Sequence, residues 1–237
     1  MEDPNVVYED GSILVLNKPA GWVVNDAVTA HGNPIVQNWL KENFSYEISG
    51  MDDMRSGIVH RLDKETSGLL VIAKNQDVFI NLQKQFADRE VKKEYLALVH
   101  GKFKNPKEDV VATVGRLPWN RERFGILPSG KPAETGFERL KIYKDKQGSW
   151  YSLVRAFPKT GRTHQIRIHL KYLGYPIVAD SFYAGRKTSR KDRLWCGRLF
   201  LHAEKICFKH PKSGKVVCFE SPLHPDLSTS LESLSVV

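Results

Sequence analysis

An α+β fold built on a mostly antiparallel sheet is predicted by three observations. Short apolar runs bounded by turn residues recur along the whole chain, several of them alternate with period two, and only three stretches carry helical spacing. Order begins near residue 6. Ile13-Leu14-Val15-Leu16 reads as a buried strand closed by the turn-forming Asn17-Lys18-Pro19-Ala20-Gly21. Pro34 suits a first helical turn, and Ile35, Val36, Trp39 and Leu40 follow at helical spacing.

Ser67 to Lys74 is a second buried strand, after which Val78, Leu82 and Phe86 recur every four residues and predict an amphipathic helix over 76–88. From Val91 to Val99 the pattern changes to period two, which places Tyr95 on the face of Val91, Ala97 and Val99. Further strands are predicted at 109–114, 135–143, 150–157, 204–209 and 215–220, with Ser213-Gly214 turning between the last two. The third helix should run from Gly161 to Leu173, with Ile166, Leu170 and Leu173 on one face and Gly174 as its stop. No repeat and no low-complexity linker interrupts the chain, so one compact domain over 1–237 is expected.

A chain of 237 residues that is 41% apolar and 27% charged can bury a sizeable core, which excludes disordered and fibrous classes. Lys and Arg exceed Asp and Glu by 36 to 27, so polyanions are the natural class of partner. The excess is concentrated: the window from Ser181 to Lys215 carries +8 of the net +9 and reads as a basic loop. Three cysteines without a C-x-x-C pair point to reduced thiols rather than to a disulfide framework or a zinc knuckle. The acidic N-terminus lacks signal-peptide order, and no apolar run reaches the ~20 residues that span a bilayer. A cytoplasmic protein that does not enter membranes is expected.

Two polar stretches stand out against this apolar frame. Gly57 to Gly68 packs His60, Arg61 and Asp63 into four positions next to a buried strand, where loops position reactive groups. By itself, the stretch also fits a surface ion pair and a polar turn. Lys159 to His169 gathers Arg162, Thr163, His164, Gln165 and Arg167 at a helix start, where free backbone N–H groups favour anions. His164 and His169 are five apart and lack a nearby carboxylate, so no metal site is expected.

His60-Arg61-Leu62-Asp63-Lys64-Glu65-Thr66-Ser67-Gly68-Leu69-Leu70-Val71 resembles the signature of the RluA-type family of RNA pseudouridine synthases. Four further segments agree in the family's order: Ile13 to Gly21, Lys93-Glu94-Tyr95-Leu96-Ala97, Thr160 to Arg167, and Leu199-Phe200-Leu201-His202-Ala203 leading to Phe208-Lys209-His210-Pro211. The resemblance covers about residues 7–225. It implies the pseudouridine synthase fold, a mixed and mainly antiparallel sheet with flanking helices and a central basic cleft.

The resemblance also implies a reaction: the N1–C1′ bond of a uridine breaks, the uracil turns, and C5 joins C1′. Nothing is oxidised and no group is transferred, so no cofactor is implied, and the sequence contains no G-x-G-x-x-G and no Walker loop. By family similarity Asp63 is the essential carboxylate, acting as nucleophile or as base. Arg167 matches the arginine that keeps that aspartate ionised and aimed, and Tyr95 the tyrosine that stacks on the uracil and is placed to take the C5 proton. The three are expected to converge.

A stacked uridine must be flipped out, and Arg61 matches an arginine that fills the vacated stack or contacts phosphate. His60, Arg162, Thr163, His164 and Gln165 are expected at the substrate, and Arg186, Lys187, Arg190 and Lys191 at RNA phosphates. The implied partner is ribosomal or transfer RNA, bound by a monomer without an obligate protein partner. Two departures from the family pattern stand in the sequence. The first motif begins by Val7, so no N-terminal S4 domain is expected, and Trp22-Val23-Val24-Asn25-Asp26 replaces a common His-Pro pair. A non-catalytic RNA-binding protein would share the charge, and a glycosidic hydrolase would share the aspartate but needs a second carboxylate to activate water.

Overall fold

The computed structural model describes residues 2–25 and 32–237, except for the side chains of residues 121 and 122. Asp26, the end of the departing segment, lies outside the described residues. In chain order the elements are β1 (Asn5–Glu9), β2 (Ile13–Lys18), α1 (Val36–Asn43), β3 (Ser67–Ala73), α2 (Gln76–Ala87), β4 (Lys92–His100), β5 (Lys107–Leu117), β6 (Asn120–Ile126), β7 (Lys131–Lys144), β8 (Trp150–Pro158), α3 (Gln165–Tyr172), α4 (Arg186–Asp192), β9 (Leu201–Lys209), β10 (Val216–Glu220), α5 (Pro225–Glu232) and β11 (Ser235–Val236). The architecture is α+β. The chain divides into two compact units, Met1–Lys92 with Ala203–Pro222 and Lys93–His202 with Leu223–Val237. Two of the three divisions fall within β4 and β9, and the third falls between β10 and α5.

In the first unit β1, β2 and β3 pair antiparallel in sequence order, β9 follows β3, and β10 pairs antiparallel with β9. The registry Ile13↔Ala73, Val15↔Val71 and Asn17↔Leu69 puts Ile13, Val15, Leu69, Val71 and Ala73 into one buried cluster. The face of α2 that carries Val78, Phe79 and Leu82 packs on it, joined by Ile206 and Phe208. Asn75 caps that helix by accepting the Val78 N–H at 3.0 Å. Glycines let this unit close tightly. At Gly57, where φ is +80°, an added Cβ would lie 2.0 Å from the Ala73 carbonyl oxygen, and at Gly68 it would lie 2.3 Å from that of Ala203.

Cys207 on β9 lies directly across from Cys218 on β10, Cα to Cα 4.1 Å, and the two form a disulfide. This corrects the reading of three reduced thiols. The cysteines are eleven positions apart, a separation that names no motif, and only the hairpin registry makes them neighbours. Cys196 remains a buried free thiol.

In the second unit the strand order is β4-β8-β7-β5-β6, and β11 pairs with the far end of β7. Ala97, Leu98 and Val99 of β4 are sealed on both faces, because Val154 and Ala156 of β8, Ile166 and Leu170 of α3 and the segment Ile177–Ala179 join one cluster with them. α5 adds Leu227 to it. α4 takes the place of the predicted basic loop. Its ring of cations has no apolar periodicity, yet Asp192 at its end is buried and ties it down. No helix among the described residues is long and apolar enough to cross a membrane.

Gly57→Ala is expected to lower the unfolding free energy by about 2 kcal/mol or more, since both φ and the Ala73 carbonyl oppose a side chain. Gly11→Ala, whose Cβ meets nothing within 4 Å, is the control. Urea melts showing equal effects would contradict the close approach.

Candidate active site

The stretch that carries Asp63 is fastened to the first unit at both ends by polar side chains. His60 Nε2 accepts the Val71 N–H at 2.9 Å, and its ring stacks on Phe86 with centroids 4.9 Å apart, so the imidazole belongs to the strand as much as to the loop. Lys18 is fully buried. Its ammonium donates to the carbonyls of Pro19 at 2.9 Å, Trp22 at 3.1 Å and Lys64 at 3.3 Å. Gly21 N–H adds a bond to the same Lys64 carbonyl at 2.8 Å, and Thr66 N–H closes a turn on the Asp63 carbonyl at 3.1 Å. A buried cation surrounded by carbonyls satisfies its charge while stitching two loops together. Leu62 points into the core, Asp63 is half-buried and Arg61 is exposed.

In the second unit Tyr95 stands half-buried on β4, opposite Ala156, packed against the cluster that contains Ile166 of α3. Two residues earlier, and therefore on the same face, burial pulls the Lys93 ammonium down to about 8. The sequence reading did not single out this lysine, although its place at i−2 from the tyrosine in a strand was visible.

α3 begins four residues later than predicted. His164 adopts a left-handed conformation with φ of 56°, and the Gln165 amide holds Thr160 to Arg162 as a turn. Its oxygen accepts the Arg162 N–H at 3.0 Å and the Thr160 hydroxyl at 2.6 Å, while its nitrogen donates to the Glu134 carbonyl and Thr135 Oγ1, both at 2.9 Å. The amide of Gln165 is thus engaged within its own unit. Arg162 Nε donates to the Pro132 carbonyl at 3.1 Å, and Thr163 is half-buried beside it. His164 Nδ1 lies 3.0 Å from the Tyr183 hydroxyl, with Phe124 and Phe182 around the ring.

Arg167 is 3% exposed. Asp180, itself wholly buried, takes it in a two-point grip, Nε to Oδ2 at 2.8 Å and Nη2 to Oδ1 at 2.9 Å, and the guanidinium lies within 5.4 Å of the Phe182 ring centre and 5.1 Å of that of Tyr183. Asp180 escaped the sequence reading because nothing local distinguishes it. One signal was present: it is a carboxylate ending the apolar run Pro176-Ile177-Val178-Ala179, where an uncompensated charge would be costly.

Arg186, Lys187, Arg190 and Lys191 are all exposed on α4. Asp192 at the buried end accepts the Ala179 N–H and lies against His100 Nε2, both at 2.9 Å. The helix therefore presents four cations outward from a fixed base. Asp63 belongs to the first unit, whereas Tyr95, Arg167 and the basic helix belong to the second. Among the described residues no group of three or more His, Cys, Asp or Glu side chains could hold a metal ion.

A family model described as RNA pseudouridylate synthase matches residues 12–172, a span that contains Asp63, Tyr95 and Arg167. The chain belongs to that family. Its members are isomerases that turn uridine into pseudouridine in RNA. The chain is 38% identical to an uncharacterised RNA pseudouridine synthase of Bacillus subtilis over 98% of its own length and 73% of the relative's. It is 37% identical to ribosomal large subunit pseudouridine synthase D of Nitrosomonas europaea over 97% and 64%, and 35% identical to ribosomal large subunit pseudouridine synthase C of Escherichia coli over 97% and 69%. The chain thus spans about two thirds of the length of these synthases. Among solved structures, human RNA pseudouridylate synthase domain containing 1 superposes with a TM-score of 0.76 at 28% identity, covering 100% of this chain and 89% of that one. The pseudouridine synthase fold predicted from the motifs is the fold found.

One pH dependence follows from α3 of this synthase. His169 is fully buried with Nδ1 3.0 Å from Thr135 Oγ1, and burial pulls the imidazole down to about 4. The unfolded chain takes up the proton near 6.5 and the folded one only near 4, so this contribution to stability is complete above 6.5 and falls as the pH drops towards 4. Urea unfolding at pH 7.5 and pH 5 is expected to show a loss of about 2 kcal/mol from this group, absent in His169→Gln. An identical pH response in the two proteins would contradict it.

Proposed function

We propose that this chain is a site-specific uridine isomerase acting on structured RNA, with Asp63 as its essential carboxylate. The observation that carries the proposal is the family match over residues 12–172, which contains the His60-Arg61-Leu62-Asp63 motif together with Tyr95 and Arg167. The roles are those of the matching family positions. Asp63 acts at the sugar or the base while the N1–C1′ bond breaks. Arg167 supplies the positive charge that pairs with that carboxylate. Tyr95 stacks on the uracil, and once C5 has joined C1′ it stands where the C5 proton must leave. N1 ends the reaction protonated, so atoms and charge balance without a cofactor.

Access to C1′ requires the nucleotide to leave the stack, at a cost of about a few kcal/mol. The exposed Arg61, two residues before Asp63, is suited to fill the gap or to hold a phosphate. Arg162, Thr163 and His164 line up beside the α3 start, with Gln165 holding their turn, and His60 fastens the Asp63 loop. The four cations of α4 supply affinity that is independent of sequence. We read the two compact units as one catalytic domain, because the family match runs through both, and take the working form to be a monomer in the cytoplasm. The names of the Nitrosomonas and Escherichia relatives favour ribosomal over transfer RNA as the first substrate to test.

The test compares RNA from cells with and without the gene by carbodiimide-based pseudouridine mapping. A discrete site is expected to vanish and to return with the wild-type protein but not with Asp63→Asn. Its return with Asp63→Asn would remove the aspartate from the mechanism, while loss of no site in either ribosomal or transfer RNA would favour a binding protein. Free uracil in place of pseudouridine would indicate a hydrolase. Separately, Arg186, Lys187, Arg190 and Lys191 changed together to Ala should reduce the slope of log binding constant against log salt by roughly 3. An unchanged slope would take α4 out of the interface.

A further inference from the structure

The geometry points to Asp180 as the positioning residue of Arg167, the group that fixes the direction of the active-site guanidinium before RNA arrives. The inference rests on the reading of Arg167 as an active-site arginine. Both oxygens of Asp180 are committed. Oδ2 accepts Arg167 Nε at 2.8 Å, and Oδ1 accepts Arg167 Nη2 at 2.9 Å, the Phe182 N–H at 2.9 Å and the Tyr183 N–H at 3.0 Å. The two backbone bonds fix the carboxylate plane, and the two-point grip transfers that plane to the planar guanidinium. Since Phe182 and Tyr183 are the residues whose N–H groups bind Oδ1, the same turn also sets their rings, at 5.4 Å and 5.1 Å from the guanidinium carbon.

The turn itself is anchored upstream. Val178 N–H bonds to the Leu98 carbonyl at 2.9 Å, Phe200 N–H to the Val178 carbonyl at 3.1 Å, and Ala179 N–H to Asp192 at 2.9 Å. An arginine with four rotatable side-chain bonds is thereby held by one carboxylate on a rigid segment, so its ordering is paid for during folding rather than at binding. A buried ion pair contributes little net stability over an apolar pair of the same shape, which leaves orientation as the distinctive consequence of this one. The grip uses two of the five guanidinium donors and sits on the Nε edge, so it defines where the remaining donors point.

The experiment measures single-turnover tritium release by the full chain from unmodified ribosomal and transfer RNA transcripts labelled with [5-³H]uridine, beside filter-binding Kd values and thermal melts. Asp180→Asn is expected to slow release on the order of 100-fold while Kd moves by less than about threefold, because misaiming a reacting group costs rate rather than affinity. Asp180→Glu, which keeps the charge and shifts the oxygens, should recover part of the rate. Arg167→Lys combined with Asp180→Asn should be no slower than Arg167→Lys alone.

A wild-type rate in Asp180→Asn alongside a crippled Arg167→Lys would overturn the inference and leave the role of Arg167 standing. A wild-type rate in Arg167→Lys, or release that no transcript gives with the wild-type chain, would defeat the underlying reading and the inference with it. A loss confined to Kd, a double variant markedly slower than Arg167→Lys, or failure of both Asp180 variants to fold would each assign Asp180 to binding or to the fold and overturn the positioning role.

Discussion

A guanidinium keeps its proton wherever a protein puts it, so burying one obliges the fold to bring a carboxylate and to hold it still. In the second unit that obligation falls on Arg167 and Asp180, both removed from water, and much of the local architecture follows from meeting it. The segment from Ile177 to Tyr183 must run against β4 to bring Asp180 under α3. Its backbone must turn sharply enough for two successive N–H groups to meet one oxygen, and Phe182 and Tyr183 must then close over the cation. The packing that results also seats α4, because the same segment offers the Ala179 N–H to Asp192.

The first unit solves a parallel problem with a lysine. Lys18 is at the end of a buried strand, and its ammonium finds three carbonyls from two loops, one of them the residue after Asp63. Removing such a cation would take a buried donor from the Pro19 and Trp22 carbonyls and leave the Lys64 carbonyl with the Gly21 N–H. In each unit one residue assigned to chemistry is thus steadied by a buried polar group, the Asp63 loop by Lys18 and Arg167 by Asp180. Rigidity of this kind, within each unit, suits chemistry that depends on holding a reacting group in a fixed direction.

The sequence disclosed those parts whose cause is local. β2, β3 and α2 follow from apolar runs and from the four-residue spacing of Val78, Leu82 and Phe86, and the motif around Asp63 was legible as a dense polar island beside a buried strand. α4 was not legible, because its helix is specified by one buried aspartate at its end rather than by an apolar stripe. The late start of α3 was hidden for a similar reason: the Gln165 amide competes with helical hydrogen bonding for the preceding turn. β5 was predicted at 109–114, but β6, with two arginines and little alternation, was not, and the Cys207–Cys218 bond needs the registry of β9 on β10. Asp180 is the plainest case, a partner chosen entirely by tertiary structure.

¹⁵N-detected NMR of the arginine side chains tests directly whether Arg167 is locked in the protein free of RNA. A single Arg167 Nε–H resonance is expected, assigned by its loss in Arg167→Lys, protected from solvent exchange without RNA and keeping its shift when Arg61 is changed to Ala. A resonance that exchanges as fast as those of the exposed arginines of α4, or that becomes protected only when RNA is added, would contradict a pre-set guanidinium.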